Sequence, residues 1–228
     1  NDEIMKKLEL LQKGSEMESG KLTAELERTR LELQRKEDEL RKLERELNER
    51  SALLAEKEKR VKELEDLLAK QEQAIKALRD KVAAALIGFK DKGLTVTEKD
   101  GKVYVSMEAK LLFASGSYNV DKEGKDALMK LAKILEEQKD LEILVEGHTD
   151  TDKLSSTNVP RDNWELSVLR STSVVKLMLE SSKMDPKKIS AAGRSEYIPV
   201  DASDKAKNRR IEIVLIPNLD ELYKILDK

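Results

Sequence analysis

Asp150, Asn163 and Arg170 are the side chains of this sequence whose types and order suit a single task, the grip of a small zwitterion. Asp150 closes the string Gly147-His148-Thr149-Asp150, directly after a segment at 141–146 that reads as a strand. Ligand contacts gather at such strand tips. Asn163, Ser167 and Arg170 are separated by four and then three residues, which puts them on one face of a helix that begins near 163. If the start of that helix faces the strand tip, a carboxylate, an amide and a guanidinium converge with the unpaired N–H groups of a helix N-terminus. Asp150 then suits an ammonium, and Arg170 with the helix N-terminus suits a carboxylate. A plainer role is open to the same residues, since an arginine facing an aspartate between strand and helix is often only a pair that stabilises the fold.

Catalysis finds little support. His148, Asp150 and Asp152 alternate in a way that suggests a hydrolytic metal centre, but the chain has one histidine, no cysteine and no nucleophile beside a base. The expectation is therefore no enzyme, no cofactor and no metal. His148 is expected to orient a loop by hydrogen bonding, Trp164 and Tyr197 to be packing residues, and Arg210 and Glu196 to be structural. A net charge of -2 provides no broad basic field, which sets nucleic acid aside as a partner.

The residues that must position this site occupy only part of the chain. Over 228 residues, 39% are charged and 3% aromatic, so one part has little core of its own. That part is 21–88, where Leu26, Leu33, Leu40, Leu47, Leu54, Val61, Leu68, Ile75 and Val82 recur every seven residues. Seven-residue recurrence is the heptad of a left-handed coiled coil. The companion core position is mixed, with Leu43, Leu64, Leu78 and Ala85 beside Thr29, Lys36, Arg50, Lys57 and Gln71. No Gly or Pro falls between Lys21 and Ile87, which predicts one continuous helix on the order of 100 Å long. Pairs such as Glu32/Lys36 and Glu56/Arg60 support it at four-residue spacing, and could sustain even a single unpaired helix. The aliphatic stripe favours a parallel homodimer instead. Residues 1–20 read as a short helical segment ending in a flexible joint at Gly14 and Gly20.

From 89 to the end the period changes. Two β-branched runs flank Asp100-Gly101, a hairpin signal. Helices are predicted at 122–138, with Leu128, Leu131 and Leu135 inward, and at 163–182. Strands are predicted at 141–146, 189–192 and 211–216, and Leu219, Leu222, Tyr223 and Leu226 suggest a terminal amphipathic helix. The fold class is α+β, an α/β sandwich with a mixed sheet and helices on one face, preceded by a long helix.

Gly147-His148-Thr149-Asp150, the run from Asn163 to Arg170 and Asn208-Arg209-Arg210 together resemble the OmpA-like peptidoglycan-binding domain shared by OmpA, Pal and MotB proteins, over roughly 103–216. Trp164 resembles its MotB-like and Bacteroidetes-type branches. Phe113-Ala114-Ser115-Gly116-Ser117 is similar to the family's early Phe-x-x-Gly-Ser turn, with Ala114 where an acidic residue is common, and the loop at 151–162 is longer than in the shortest members. The resemblance implies a non-catalytic domain in which Asp150, Asn163 and Arg170 clasp the diaminopimelate of the peptidoglycan stem peptide. Thr149 of the same motif and Arg209 are implied as auxiliary site residues. It further implies a periplasmic, wall-associated protein tethering the outer membrane or an envelope partner through a coiled-coil spacer, or alternatively a MotB-like stator or structural anchor of a motor or transport complex. The chain opens on Asn1 and holds no apolar run long enough to span a bilayer, so an upstream lipid or transmembrane anchor is expected.

Overall fold

A computed structural model describes residues 1–138, 140–154, 159–218 and 224–226. Of the terminal helix expected from the sequence, Leu219, Leu222 and Tyr223 lie outside the described residues, and residues 224–226 are helical. The chain divides into two units, 1–62 and 63–228. Helix α1 (Asp2–Ala85) supplies all of the first and the opening of the second.

In the first unit α1 runs unbroken through Gly14 and Gly20, where the sequence suggested a joint. A glycine costs a helix only about 1 kcal/mol against alanine, and the long flanking runs of Leu, Glu, Lys and Arg outweigh it. Residues 1–59 are exposed throughout. The aliphatic stripe is therefore open to solvent, with Leu26, Leu33, Leu40, Leu47, Leu54 and Val61 between 53% and 68% exposed.

In the second unit the same stripe changes its employment. Ile75, Leu78 and Val82 on α1, with Leu86 after it, are at most 7% exposed and belong to the hydrophobic core of this unit. The seam available to a partner helix thus ends before Ile75, short of the 87 that the period alone indicates. A 3-10 turn (Ile87–Lys92) leads to Gly93, whose φ of 88° allows the chain to enter the sheet.

The sheet is five-stranded. β1 (Leu94–Lys99) and β2 (Lys102–Glu108) form the expected hairpin, its turn made by Asp100 and Gly101 at φ 51° and 69°. Both values are positive, as a two-residue turn matched to strand twist requires. A short helix α2 (Ala109–Leu112) leads to α3 (Lys122–Glu136), β3 (Leu141–His148), α4 (Asn163–Glu180), β4 (Ile189–Gly193), the single turn α5 (Lys205–Asn208) and β5 (Arg210–Pro217). The order is β1-β2-β5-β3-β4, antiparallel except for the parallel pair β3 and β4, so the sheet is mixed as expected. Leu128, Leu131 and Leu135 of α3 are buried.

Alternation of side chains separates the two sheet faces. Val105, Val145 and Ile213 share one register row of β2, β3 and β5 and are fully buried on the helix-covered face. Glu146 and His148 of β3 lie on the other, opposite Glu212 and Arg210 of β5.

Helix α4 reaches the sheet at two glycines. A Cβ at Gly147 would overlap the backbone carbonyl of Ser167, and one at Gly193 would sit 2.5 Å from both Ser167 Oγ and Val168 Cγ2. A backbone carbonyl cannot rotate away as a flexible side chain can. Gly147→Ala should accordingly displace α4 from β3 and lower stability by about 3 kcal/mol or more, the upper range for overpacked cores. Urea unfolding followed by circular dichroism measures this, and an unchanged midpoint would show that the helix can lift without cost.

Candidate functional site

The tip of β3, the start of α4 and the segment before β5 meet at one place, and the sequence-predicted residues meet there too. Asp162 caps α4 by accepting the Glu165 N–H at 2.8 Å, which is why the helix starts at Asn163. Glu165 in turn accepts the Arg161 N–H and Nε, each at 2.8 Å.

Asn163 is buried, and its amide serves the loop rather than an open pocket. Nδ2 donates to the carbonyls of Asp150 at 3.2 Å and Asp152 at 2.9 Å. It is a positioning residue that ties the strand tip to the helix start.

Asp150 is 5% exposed. Its Oδ1 accepts the Asp152 N–H at 3.1 Å and its Oδ2 is paired with Arg209 Nη1. The close guanidinium is therefore that of Arg209, presented from the α5 turn, not that of Arg170. A carboxylate oxygen has two acceptor sites, so each oxygen of Asp150 retains one. Thr149 is also buried; its N–H donates to Ser195 O at 2.9 Å, and its hydroxyl has no hydrogen-bond partner among the described residues.

Arg170, two turns into α4, is 5% exposed. Its Nε donates to Ser117 O at 2.9 Å, and its guanidinium lies over the Phe113 ring, 5.0 Å from the centroid. The Phe113-to-Ser117 turn is thus the seat of Arg170, a role the sequence reading did not assign to it. Among the described residues no hydrogen bond engages Nη1 or Nη2 of Arg170, which leaves the two-pronged end of the fork for a ligand. Burial, and then repulsion from Arg209, push the Arg170 guanidinium down to about 10, while Asp150 opposes them. It stays charged at neutral pH.

Two guanidiniums and one carboxylate leave the site with one uncompensated positive charge. The arrangement favours an added anion at Arg170 and still offers Asp150 lone pairs to a donor. Lys205 and Asp152 form an ion pair of 2.5 Å at the rim.

His148 departs from its expected role. It is 2% exposed and neither ring nitrogen has a hydrogen-bond partner among the described residues, so it orients no loop by hydrogen bonding. Its Nε2 lies 3.8 Å from carboxylate oxygens of Glu146 and Glu212. Among the described residues these three could hold a metal with their ligand atoms, a grouping the sequence conceals because Glu212 comes from another strand. Trp164 and Tyr197, expected as packing residues, are 50% and 67% exposed and meet each other with ring centroids 5.7 Å apart.

Residues 112–212 match the model of the OmpA family. Motility protein B of Bacillus subtilis is 32% identical over 130 residues, 55% of this chain and 46% of that protein. The chain spans about half the length of the curated relatives it matches. Among solved structures, a putative MotB like protein from Desulfovibrio vulgaris superimposes with a TM-score of 0.60 at 26% identity, covering 68% of this chain and 99% of that one. The cell wall anchor of the T6SS from Pseudomonas aeruginosa does so with a TM-score of 0.54 at 30% identity, covering 60% and 97%. The C-terminal part of this chain is an OmpA-like domain with MotB-like homologues.

Proposed function

We propose that the domain binds peptidoglycan without covalent chemistry, taking the zwitterionic centre of diaminopimelate in the stem peptide between Asp150 and Arg170. The observation that carries this reading is the state of Arg170: buried, seated by Ser117 and Phe113, and with its Nη pair unengaged by the described residues. The ligand carboxylate takes those two nitrogens as a bidentate pair, and the ligand ammonium takes the remaining acceptor sites of Asp150. Arg209 and the buried Thr149 border the same site, and Asn163 holds the loop that carries Asp150. The likeness to a cell wall anchor supports the choice of ligand.

In this reading the protein works in the periplasm, holding the outer membrane or an envelope component against the wall. The similarity to Motility protein B supports a second reading, in which the anchored component is a motor or transport complex. Both use the same wall-binding step. No described helix is long and apolar enough to cross a membrane.

Sacculus pull-down tests the site. Asp150→Ala and Arg170→Ala are each expected to lose binding, because removing one partner of a buried charged contact costs about 2–5 kcal/mol. Arg170→Lys should fail as well, since an ammonium cannot reproduce the fork. Variants that bind sacculi like the wild type at an unchanged melting temperature would show that the wall is gripped elsewhere. Lost binding with a collapsed melting temperature would assign the residues to stability alone.

The exposed stripe on α1 supports a parallel homodimer through residues 22 to 68, which doubles the wall contacts of one particle. Sedimentation at about tens of micromolar should give a dimer for the intact chain and a monomer for Leu40→Glu with Leu47→Glu. A monomeric wild type would make α1 a charged strut.

A further inference from the structure

The sheet face opposite the helices holds a cluster that wall binding does not use. Glu146 on β3 and Glu212 on β5 are direct partners in the strand register, and His148 follows Glu146 by two residues on the same face. The His148 side chain is 1% exposed, against 11% for Glu146 and 17% for Glu212, so the carboxylates connect the imidazole to solvent. One oxygen of each carboxylate is already held. Arg194 Nε donates to Glu146 Oε1 at 2.8 Å, and Arg210 Nε donates to Glu212 Oε1 at 2.7 Å. The other oxygen of each, Oε2, lies 3.8 Å from His148 Nε2.

That distance is long for a hydrogen bond across the gap and close to the span of two ligands on one metal ion. A proton on Nε2 would bond at about 2.7–3.2 Å, and 3.8 Å is too long for it to reach either oxygen. Two ligands on one zinc ion, each bonded at about 2.0–2.2 Å, stand about 3.3–3.5 Å apart in a tetrahedron and at most about 4.2 Å apart. All three ligand atoms lie within 4.8 Å of one another, a spread that small side-chain rotations bring inside that limit. His148 is buried with both nitrogens unpartnered among the described residues, and in the tautomer protonated at Nδ1 its Nε2 lone pair faces two carboxylate oxygens, which costs free energy unless a cation lies between them. The bond of each arginine to the far oxygen is the outer contact that turns the near oxygen inward.

We propose that Glu146, His148 and Glu212 form a binding site for one divalent transition cation of the zinc class, with water completing the coordination. Imidazole selects against magnesium and calcium, which favour oxygen ligands throughout. Arg194 and Arg210 already balance the two carboxylates, so the imidazole supplies the decisive bond and the site binds more weakly than one with unpaired acids. The proposal is independent of the wall-binding reading, since none of the three residues lines the Arg170 site.

The chain holds one histidine and no cysteine, so every imidazole signal comes from this place and no thiol competes. Zinc sulfate is titrated into the intact, nitrogen-15-labelled protein while the ring nitrogens of His148 are followed by NMR and the stoichiometry by calorimetry. The expected result is one zinc per chain, with Nε2 moving to the position of a metal-bound nitrogen while magnesium leaves it in place. Glu212→Gln should weaken zinc binding roughly tenfold or more, with its circular dichroism unchanged. Zinc that is not taken up, that binds without moving Nε2, or that binds folded Glu212→Gln as tightly as the wild type would overturn the site. Should the variant not fold, the Nε2 signal of the wild type decides alone.

Discussion

The closeness of α4 to β3 and β4 is the contact on which the rest of the domain depends. Ser167 lies where a side chain at Gly147 or Gly193 would have to be. Its hydroxyl accepts the Ser195 N–H at 3.2 Å while donating to Trp164 O at 2.9 Å. Four residues before this contact, Asn163 ties the Asp150 loop; three residues after it, Arg170 reaches the Phe113 turn. Helical spacing turns one close approach into a fixed distance between a buried carboxylate and a buried guanidinium. A bulkier residue at either glycine would move both ends of the site together.

Charge in the site is arranged with equal economy. Burying Asp150 and Arg170 side by side without a mutual ion pair is tolerable because each has another partner: Arg209 and a backbone N–H for the acid, a carbonyl and an aromatic face for the base. Their electrostatic coupling persists without a bond between them. The unpaired edge of each group is the part that remains for chemistry.

Much of this was legible from local patterns. The Asp100-Gly101 turn, the leucines of α3 and the start of α4 at Asn163 follow from periods and caps that act over a few residues, and the structure agrees with them. The convergence of Asp150, Asn163 and Arg170 was legible for the same reason, since strand tip and helix face are local properties. What stayed hidden depends on contacts distant in sequence. Arg209 takes Asp150 because the α5 turn folds over the strand tip, and Phe113 seats Arg170 across 57 positions of chain. A heptad stripe does not announce where it leaves solvent, so Ile75 and Val82 read like Leu40 yet belong to the domain core. His148 looked like a hydrogen-bonding loop residue because Glu212, which faces it, is far along the chain.

The seat of Arg170 has a consequence for selection among anions. An arginine free in solvent gives up about 2 kcal/mol of side-chain freedom when it is fixed. Here Ser117 and Phe113 have fixed it during folding, so a carboxylate bound as proposed would meet a fork whose plane and direction are already set. An anion must then match that plane, and a ligand of equal charge but different shape cannot recruit the side chain by bending it. In the proposed binding mode the turn at 113–117, which offers a ligand no charge of its own, would act as a gauge of anion geometry.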